Sequence, residues 1–486
     1  MKKTLLNSLK VLITSFLISN AVFAQTNQTK EPINKLQEIN KILQQSQESS
    51  QNPLTNREKV EKENKAVQPL EEKNTPIAKK ILQQTNSIVR IQVQSKLGKE
   101  KFSMGSGAFL TLDGLIVTNY HVISSHFTDP LNTTVIFNIG KSYEEYEAQL
   151  ESVDLVNDLA LIRPVKSIET KPITIGFNEL QRGDKLYSVG FPHNWSMTMI
   201  EGIYNGYMEK QIVPHYLVSQ ALSSGMSGGP TFSEDGKLVA INVAATNKLS
   251  ILIPAQSALQ LLKNYSKEQL SEDRKGYIQK INNIREKALQ RYSIFSEKLL
   301  GEVIKSQPIT IGSFSLPFKN SLFECWSKQS NSESQVNLDK IKIMPKKELI
   351  QTQRSCSTQD NIFLQDNNII SQILFNTYHY EQPFDTNPLT LWKTIEKKFN
   401  LIALGNEYSI KTYSGTCFYK NVTNEKKNLQ KMQICIAPLK ETNKLWQIQI
   451  SQILYDNLNQ AIIVDASFDG FTEKSINQII SYMKKI

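Results

Sequence analysis

Cysteine is scarce in this chain. Four occur among 486 residues, and none precedes Cys325. That excludes a disulfide framework from the first two thirds of the molecule and confines it to Cys325, Cys356, Cys417 and Cys435. Histidine is nearly as rare. His126, His193, His215 and His379 fall at no metal-ligand spacing and are expected to be ordinary surface or turn residues, so neither a metal centre nor a cofactor is expected. After the N-terminus no apolar run is long enough to cross a bilayer, so no membrane span is expected in the mature chain. Basic residues exceed acidic ones, giving a formal charge of +10, but the lysines are spread rather than clustered. That pattern argues against nucleic acid as a partner.

The N-terminus carries an address. Met1-Lys2-Lys3 precedes an apolar run from Val11 to Phe23, and small Ala24 follows Val22 by two positions. These are the parts of a signal peptide over residues 1–24, with cleavage before Gln25. A retained anchor is the alternative, less favoured because Thr14, Ser15, Ser19 and Asn20 interrupt the run. Export to a periplasm or to the medium is therefore expected. Four cysteines in an exported chain favour disulfides; three connectivities exist, and the local pairing Cys325–Cys356 with Cys417–Cys435 is expected.

Residues 25–75 are rich in Gln, Asn, Lys, Glu and Ser and lack aromatic residues. Such a stretch buries too little apolar surface to offset its ordering entropy, and reads as a disordered polar linker. From 76 to 264 the texture changes to short β-branched runs. They are Ile88–Val93, Ala108–Leu112, Leu115–Val117, Val135–Asn138, Leu159–Ile162, Lys185–Val189, Tyr216–Val218, Leu238–Val243 and Ser250–Ile253, without intervening helices and closed by a helix at Ala255–Asn264. This argues an antiparallel barrel or sandwich. Residues 265–304 form a helical connector, with Ile281, Ile284, Ala288, Tyr292, Phe295, Leu299 and Val303 recurring on one face. Residues 305–486 return to strands (Ile369–Tyr380, Met432–Ala437, Leu445–Ile453, Ala461–Phe468) with helices near Pro388–Phe399 and Thr472–Lys484, an α+β accessory domain with an antiparallel sheet.

Three local sequences carry chemistry: Thr118-Asn119-Tyr120-His121-Val122, Asn157-Asp158 opening an apolar strand, and Gly225-Met226-Ser227-Gly228-Gly229-Pro230. Each alone has a dull explanation, as a core histidine, a turn aspartate or a loop. Together they hold every part that acyl transfer from an amide requires. A serine hydroxyl needs a base within reach, which His121 supplies near neutral pH. The imidazole needs a buried carboxylate, Asp158, to hold its tautomer. The developing oxyanion needs preorganised donors, which the backbone N–H groups of Gly225 and Ser227 offer.

The order His, Asp, Ser resembles the trypsin-like serine peptidases of the chymotrypsin double β-barrel, whose chain order this is. Within them the chain is most similar to the bacterial HtrA/Deg-type group, through Gly105-Ser106-Gly107-Ala108-Phe109, TNYHV, NDLALIRP, Gly183–Pro192, GMSGGP and Ile251–Ala255. The resemblance implies an all-β double barrel over 76–264 and an endopeptidase acting on protein or peptide substrates. It places Ala221 at the base of a specificity pocket and Asn242, Val243 and Ala244 along one wall, an uncharged set that implies small or medium apolar residues before the cut. Met226 departs from the pattern, since that group usually has Asn there, and nothing in 305–486 resembles the appended PDZ domains. Trp195 is expected to pack over a barrel rim, and Tyr378-His379-Tyr380 to be strand packing. Two rival readings remain: a non-catalytic binding scaffold, and a self-processing protease whose C-terminal domain binds envelope or partner proteins.

Overall fold

Twelve strands close into two barrels. The first takes β1 (Ile88–Ser95), β2 (Lys101–Phe109), β3 (Ile116–Asn119), β4 (Thr133–Ile139), β5 (Tyr146–Asp154) and β6 (Leu159–Pro164), in the order β1-β2-β3-β6-β5-β4. The second takes β7 (Lys185–Gly190), β8 (Thr198–Tyr207), β9 (Tyr216–Ser219), β10 (Pro230–Ser233), β11 (Leu238–Thr246) and β12 (Leu249–Pro254), in the order β10-β11-β12-β9-β8-β7. This computed structural model describes residues 76–486 except 177–178, 209–210, 247–248, 266–272, 312–313, 320–321, 332–349, 359–361, 366–367, 371, 382–387, 412–414, 424–428, 440–441, 456–459 and 486. The expected signal peptide and polar linker lie outside the described residues.

Strand alternation builds the two barrel faces. Along β1, Val89, Ile91 and Val93 join one apolar cluster with Phe109 and Phe137, whereas Ile88 joins a second cluster with Val117, Leu161, Val189, Phe232 and Ile253. The second cluster draws on both barrels and so welds them together. Helix α1 (Pro76–Leu82) adds Ile81 to it, and α3 (Ala255–Lys263) adds Ala258 and Leu261. The expectation of no helix between the strands is corrected: α2 (Tyr120–Thr128) follows β3 directly. Its sequence YHVISSHFT is half β-branched and aromatic, so composition hid it, while β5, β8 and β10 were hidden by polar alternation and glycine.

Beyond the barrels runs α4 (Arg274–Ile304), started by the Asp273 carboxylate accepting the Gly276 N–H at 2.9 Å. The connector helix, expected over 265–304, is observed from Arg274, and 266–272 lie outside the described residues. Ile281, Ile284, Ala288, Tyr292, Phe295, Leu299 and Val303 are all buried on it. The C-terminal region adds β13 (Gln307–Ile311), β14 (Phe314–Lys319), β15 (Phe323–Asn331), β16 (Ile350–Thr358), β17 (Ile362–Gln365), β18 (Asn368–Ile370) and β19 (Gln372–Glu381). Then come α5 (Pro388–Lys411), β20 (Thr416–Thr423), β21 (Leu429–Leu439), β22 (Thr442–Tyr455), β23 (Gln460–Thr472) and α6 (Glu473–Met483). Helix α5 is a long continuation of the expected Pro388–Phe399 segment. Seven strands form one antiparallel sheet, β15-β16-β19-β23-β22-β21-β20.

Both disulfides cross neighbouring strands of that sheet: Cys325–Cys356 joins β15 to β16 and Cys417–Cys435 joins β20 to β21, with Cα–Cα separations of 4.1 and 4.0 Å. Each therefore staples one outermost pair, where an edge strand has a neighbour on one side only. One continuous core runs from the first barrel (Phe137, Leu150) through α4 (Tyr292, Leu299) into the sheet (Phe375, Phe468) and α6 (Ile479).

Candidate active site

The site begins with a capping problem. The first N–H groups of any α-helix lack partners, and at α2 the aspartate just before β6 supplies them. Asp158 accepts the Tyr120 N–H through its carbonyl (3.0 Å) and the His121 N–H through Oδ1 (2.9 Å), while the Asn119 amide donates to the same carbonyl (2.9 Å). This requires φ of +49° at Asp158, a left-handed conformation that Asp tolerates better than most residues. With Oδ1 used on the backbone, Oδ2 is left facing the His121 ring, 2.6 Å from Nδ1. The carboxylate that caps the helix also orients the imidazole in its first turn.

Two opposing effects set the charge of His121. Burial pulls its pKa down, but the Asp158 carboxylate attracts the imidazolium and hydrogen bonds to it, and the net shift is upward from 6.5. With Nδ1–H donated to Asp158, the basic lone pair of the neutral ring lies on Nε2.

The third sequence forms the turn between β9 and β10. Gly225 has φ of +95°, and a Cβ there would overlap the Phe191 carbonyl; Gly228 has φ of +81°, and a Cβ there would overlap Ser106 O and Thr118 Oγ1. Only glycine suits both positions. Ser227 between them is half-buried, and its hydroxyl donates to the Val243 carbonyl at 2.7 Å. His121 and Asp158 are thus brought together, whereas the Ser227 hydroxyl is bonded to Val243 rather than to His121. Gly105 connects the two halves: a Cβ on it would lie 3.0 Å from Ser227 O and also strike the Val122 side chain, beside His121. Among the described residues, the Gly225 and Ser227 N–H groups have no hydrogen-bond acceptor. They are free to receive an oxyanion.

The expected pocket residues separate. Ala221 is exposed and Val243 half-buried. Asn242 is corrected: it is wholly buried, its amide donates to Val189 O (3.1 Å) and Met226 O (3.2 Å), and Thr231 donates to its Oδ1 (2.6 Å). Its side chain therefore braces the Ser227 turn from behind instead of lining a pocket. The side chain of Ala244 lies outside the described residues. Ser106 carries a role that sequence reasoning missed. Its hydroxyl donates to Gly225 O (2.7 Å) and accepts the Phe191 N–H (3.0 Å), and its own N–H donates to Ser227 O (2.7 Å). The signal available was a small polar residue between two glycines in GSGAF.

Two other expectations change. His126 is buried rather than a surface residue, since its place five residues beyond His121 on α2 puts it against Tyr277 of α4. Trp195 does not pack over the rim. It is 67% exposed, with its carbonyl held by Arg90 Nη2 at 2.9 Å and its ring 5.3 Å from that of His193. Among the described residues no group of His, Cys, Asp and Glu is placed to hold a metal ion, and no helix is long and apolar enough to cross a membrane.

Residues 105–241 match the sequence profile of the trypsin-like peptidase domain family. The human protein "Serine protease HTRA4" is 27% identical over 198 residues, 38% of this chain and 40% of that protein. A protein of Rhizobium meliloti described as "Probable periplasmic serine endoprotease DegP-like" is 31% identical over 185 residues, 34% of each chain. The chain thus spans about two fifths or less of the length of these curated relatives. Among solved structures, Deg5 aligns with a TM-score of 0.35 and 23% identity, covering 39% of this chain and 94% of that one.

Proposed function

We propose that the chain, whose residues 105–241 match the trypsin-like peptidase domain family and are similar to HtrA/Deg-type proteins, is an exported serine endopeptidase acting on protein substrates through Ser227, His121 and Asp158. The observation that carries this reading is the double grip of Asp158 on α2 and on His121 Nδ1, which leaves the basic lone pair of the ring on Nε2. In the reaction, rotation about the Ser227 Cα–Cβ bond takes its hydroxyl from Val243 O to His121 Nε2. The imidazole accepts the proton as Oγ attacks the scissile carbonyl, Asp158 stabilises the imidazolium, and the Gly225 and Ser227 N–H groups receive the oxyanion. The proton then passes to the leaving amine, and water repeats the sequence on the acyl-enzyme.

Export is supported by the two disulfides, which persist in oxidising compartments, and by the signal-peptide pattern of residues 1–24. The exposed Ala221 and the half-buried Val243 bring no charge to the pocket and support cleavage after small or medium apolar residues. Peptide-library profiling with cleavage mainly after Arg, Lys, Asp or Glu would reject that preference.

One observation favours a second reading, a scaffold without turnover: the Ser227 hydroxyl is engaged by Val243. A fluorophosphonate probe separates the two, because it reacts with an activated serine alone. Covalent labelling of the mature wild type and none of folded Ser227→Ala supports catalysis. A folded wild type left unlabelled supports the scaffold.

A further inference from the structure

Helix α2 is held at both ends. Asp158 caps its start, and at its other end Arg285 of α4 donates through Nη2 to the Phe127 carbonyl at 2.6 Å, with the guanidinium 5.1 Å from the Phe127 ring centre. Phe127 O is one of the last carbonyls of a nine-residue helix, which find no N–H donor within it, and a cation there also suits the helix dipole. The Phe127 ring meets Tyr120 edge-on at 5.5 Å, and Tyr120 directly precedes His121. The guanidinium is thus linked by two packed rings to the turn that carries the imidazole.

A second tie runs beside the first. Tyr277 of α4 accepts the Leu150 N–H at 3.2 Å and lies 2.7 Å from His126 Nε2, while His126 Nδ1 is 3.0 Å from Thr133 Oγ1, which itself donates to Asp129 O at 2.6 Å. The direction of every proton follows. Thr133 spends its hydrogen on Asp129, so it accepts from His126 Nδ1–H, and Nε2 in turn accepts from the Tyr277 hydroxyl. Only a neutral imidazole fits this chain. A third tie, Lys280 Nζ to Glu151 Oε1 at 2.7 Å, fixes the same half of α4 to β5. The far half of α4 is anchored in the C-terminal sheet, where the buried Tyr292 donates to Gly470 O at 2.8 Å.

We propose that α4 is a positioning element of the active site, with Arg285 and Tyr277 clamping α2 in the place that presents His121 to Ser227. The inference rests on the serine-peptidase reading. It makes the C-terminal region, through one rigid helix, a determinant of catalytic geometry rather than an appended module. A helix moves as a rod, so loosening its Phe127 end displaces the imidazole at its start. A displacement of about 1 Å costs on the order of a hundredfold in rate while leaving substrate contacts in place.

The test uses the full mature chain as wild type, Arg285→Ala, Arg285→Lys and Tyr277→Phe, with Glu286→Gln as a control. Glu286 is a neighbour on α4 whose partner is the exposed Lys444. Fluorophosphonate labelling rate, kcat, KM and the thermal midpoint are measured on each. The expected result is a loss of about ten- to a hundredfold in labelling rate and kcat for Arg285→Ala and Tyr277→Phe, with KM within about twofold. Arg285→Lys, which can still donate to Phe127 O, recovers part of the loss, and Glu286→Gln matches wild type. Folded Arg285→Ala and Tyr277→Phe chains with wild-type labelling and kcat would overturn the clamp, even with lowered thermal midpoints. Should Arg285→Ala fail to fold, Tyr277→Phe decides, since Tyr277 and His126 line a cleft through which water can replace the hydroxyl. A wild type that neither labels nor cleaves overturns the serine-peptidase reading itself, and the clamp with it.

Discussion

The buried His126 and the half-buried Asp469 respond oppositely to acid, and removing each in turn should expose the other. Burial, reinforced by the nearby Lys96 charge, lowers the His126 pKa from 6.5 to about 4. Burial raises Asp469 from 3.8 to about 6 against the hydrogen bonds of Gln447 and Ser467. As pH falls below 6.5 the unfolded chain protonates its histidine before the folded one does, so stability is lost until about pH 4. At about 1.4 kcal/mol per pH unit the loss is about 3 kcal/mol. The aspartate has the reverse sign. Below about pH 6 the folded chain takes the proton first, and stability is gained until the unfolded carboxyl protonates near 3.8. That gain is again about 3 kcal/mol. In the wild type the two slopes oppose each other between about pH 4 and pH 6 and nearly cancel. His126→Gln should therefore become more stable relative to wild type as pH falls through this window, and Asp469→Asn less stable, each by about 3 kcal/mol. Urea unfolding at constant ionic strength, followed by tryptophan fluorescence at several pH values from 4 to 7, reads the difference. The other carboxylates are common to all three chains and drop out of the comparison. Parallel curves for the three proteins would refute the reasoning.

Further outcomes are expected at the site and around it. Asp158→Asn keeps a residue that tolerates positive φ and an oxygen for the His121 N–H, so the fold should survive while kcat falls by roughly four orders of magnitude through the wrong imidazole tautomer. In the wild type the acidic limb of kcat/KM should lie above the pKa of 6.5 of an ordinary histidine, because Asp158 favours the imidazolium; a limb at or below that value would contradict the upward shift. Gly228→Ala combines a φ of +81° with overlap against Ser106 O and should yield little folded protein by circular dichroism and thermal melting. Glu151→Ala strands the buried Lys280 and removes the acceptor of the Tyr265 hydroxyl, and should cost about 3–5 kcal/mol in urea unfolding.

The candidate chemistry was legible in sequence because it depends on residue type at local turns. A histidine after TNY, an aspartate opening an apolar strand and a serine among glycines announce themselves without any knowledge of pairing. The apolar stripe of α4 was equally plain, since period 3.6 is a local property of the chain. The failures have a common cause. Asn242 sits where a pocket wall was expected, but its amide is committed to Val189 and Met226, and no local pattern tells which face of β11 meets the Ser227 turn. His126 looked like a surface residue because its burial comes from a helix 151 positions away. Trp195 looked like packing because large aromatics generally are; its exposure follows from a backbone held out by Arg90.

By itself the sequence determined which residues were candidates for nucleophile, base and acid, and which cysteines were available to pair. Such features follow from side-chain chemistry and from periodicities only a few residues long. Tertiary structure decided the closing of two six-stranded barrels, the double use of Asp158 as helix cap and imidazole partner, the Ser227 hydroxyl resting on Val243, and the grip of α4 on the helix that carries His121. Each of these joins residues far apart in the chain through distance and direction, and those quantities exist only once the barrels and the C-terminal sheet have packed around one core.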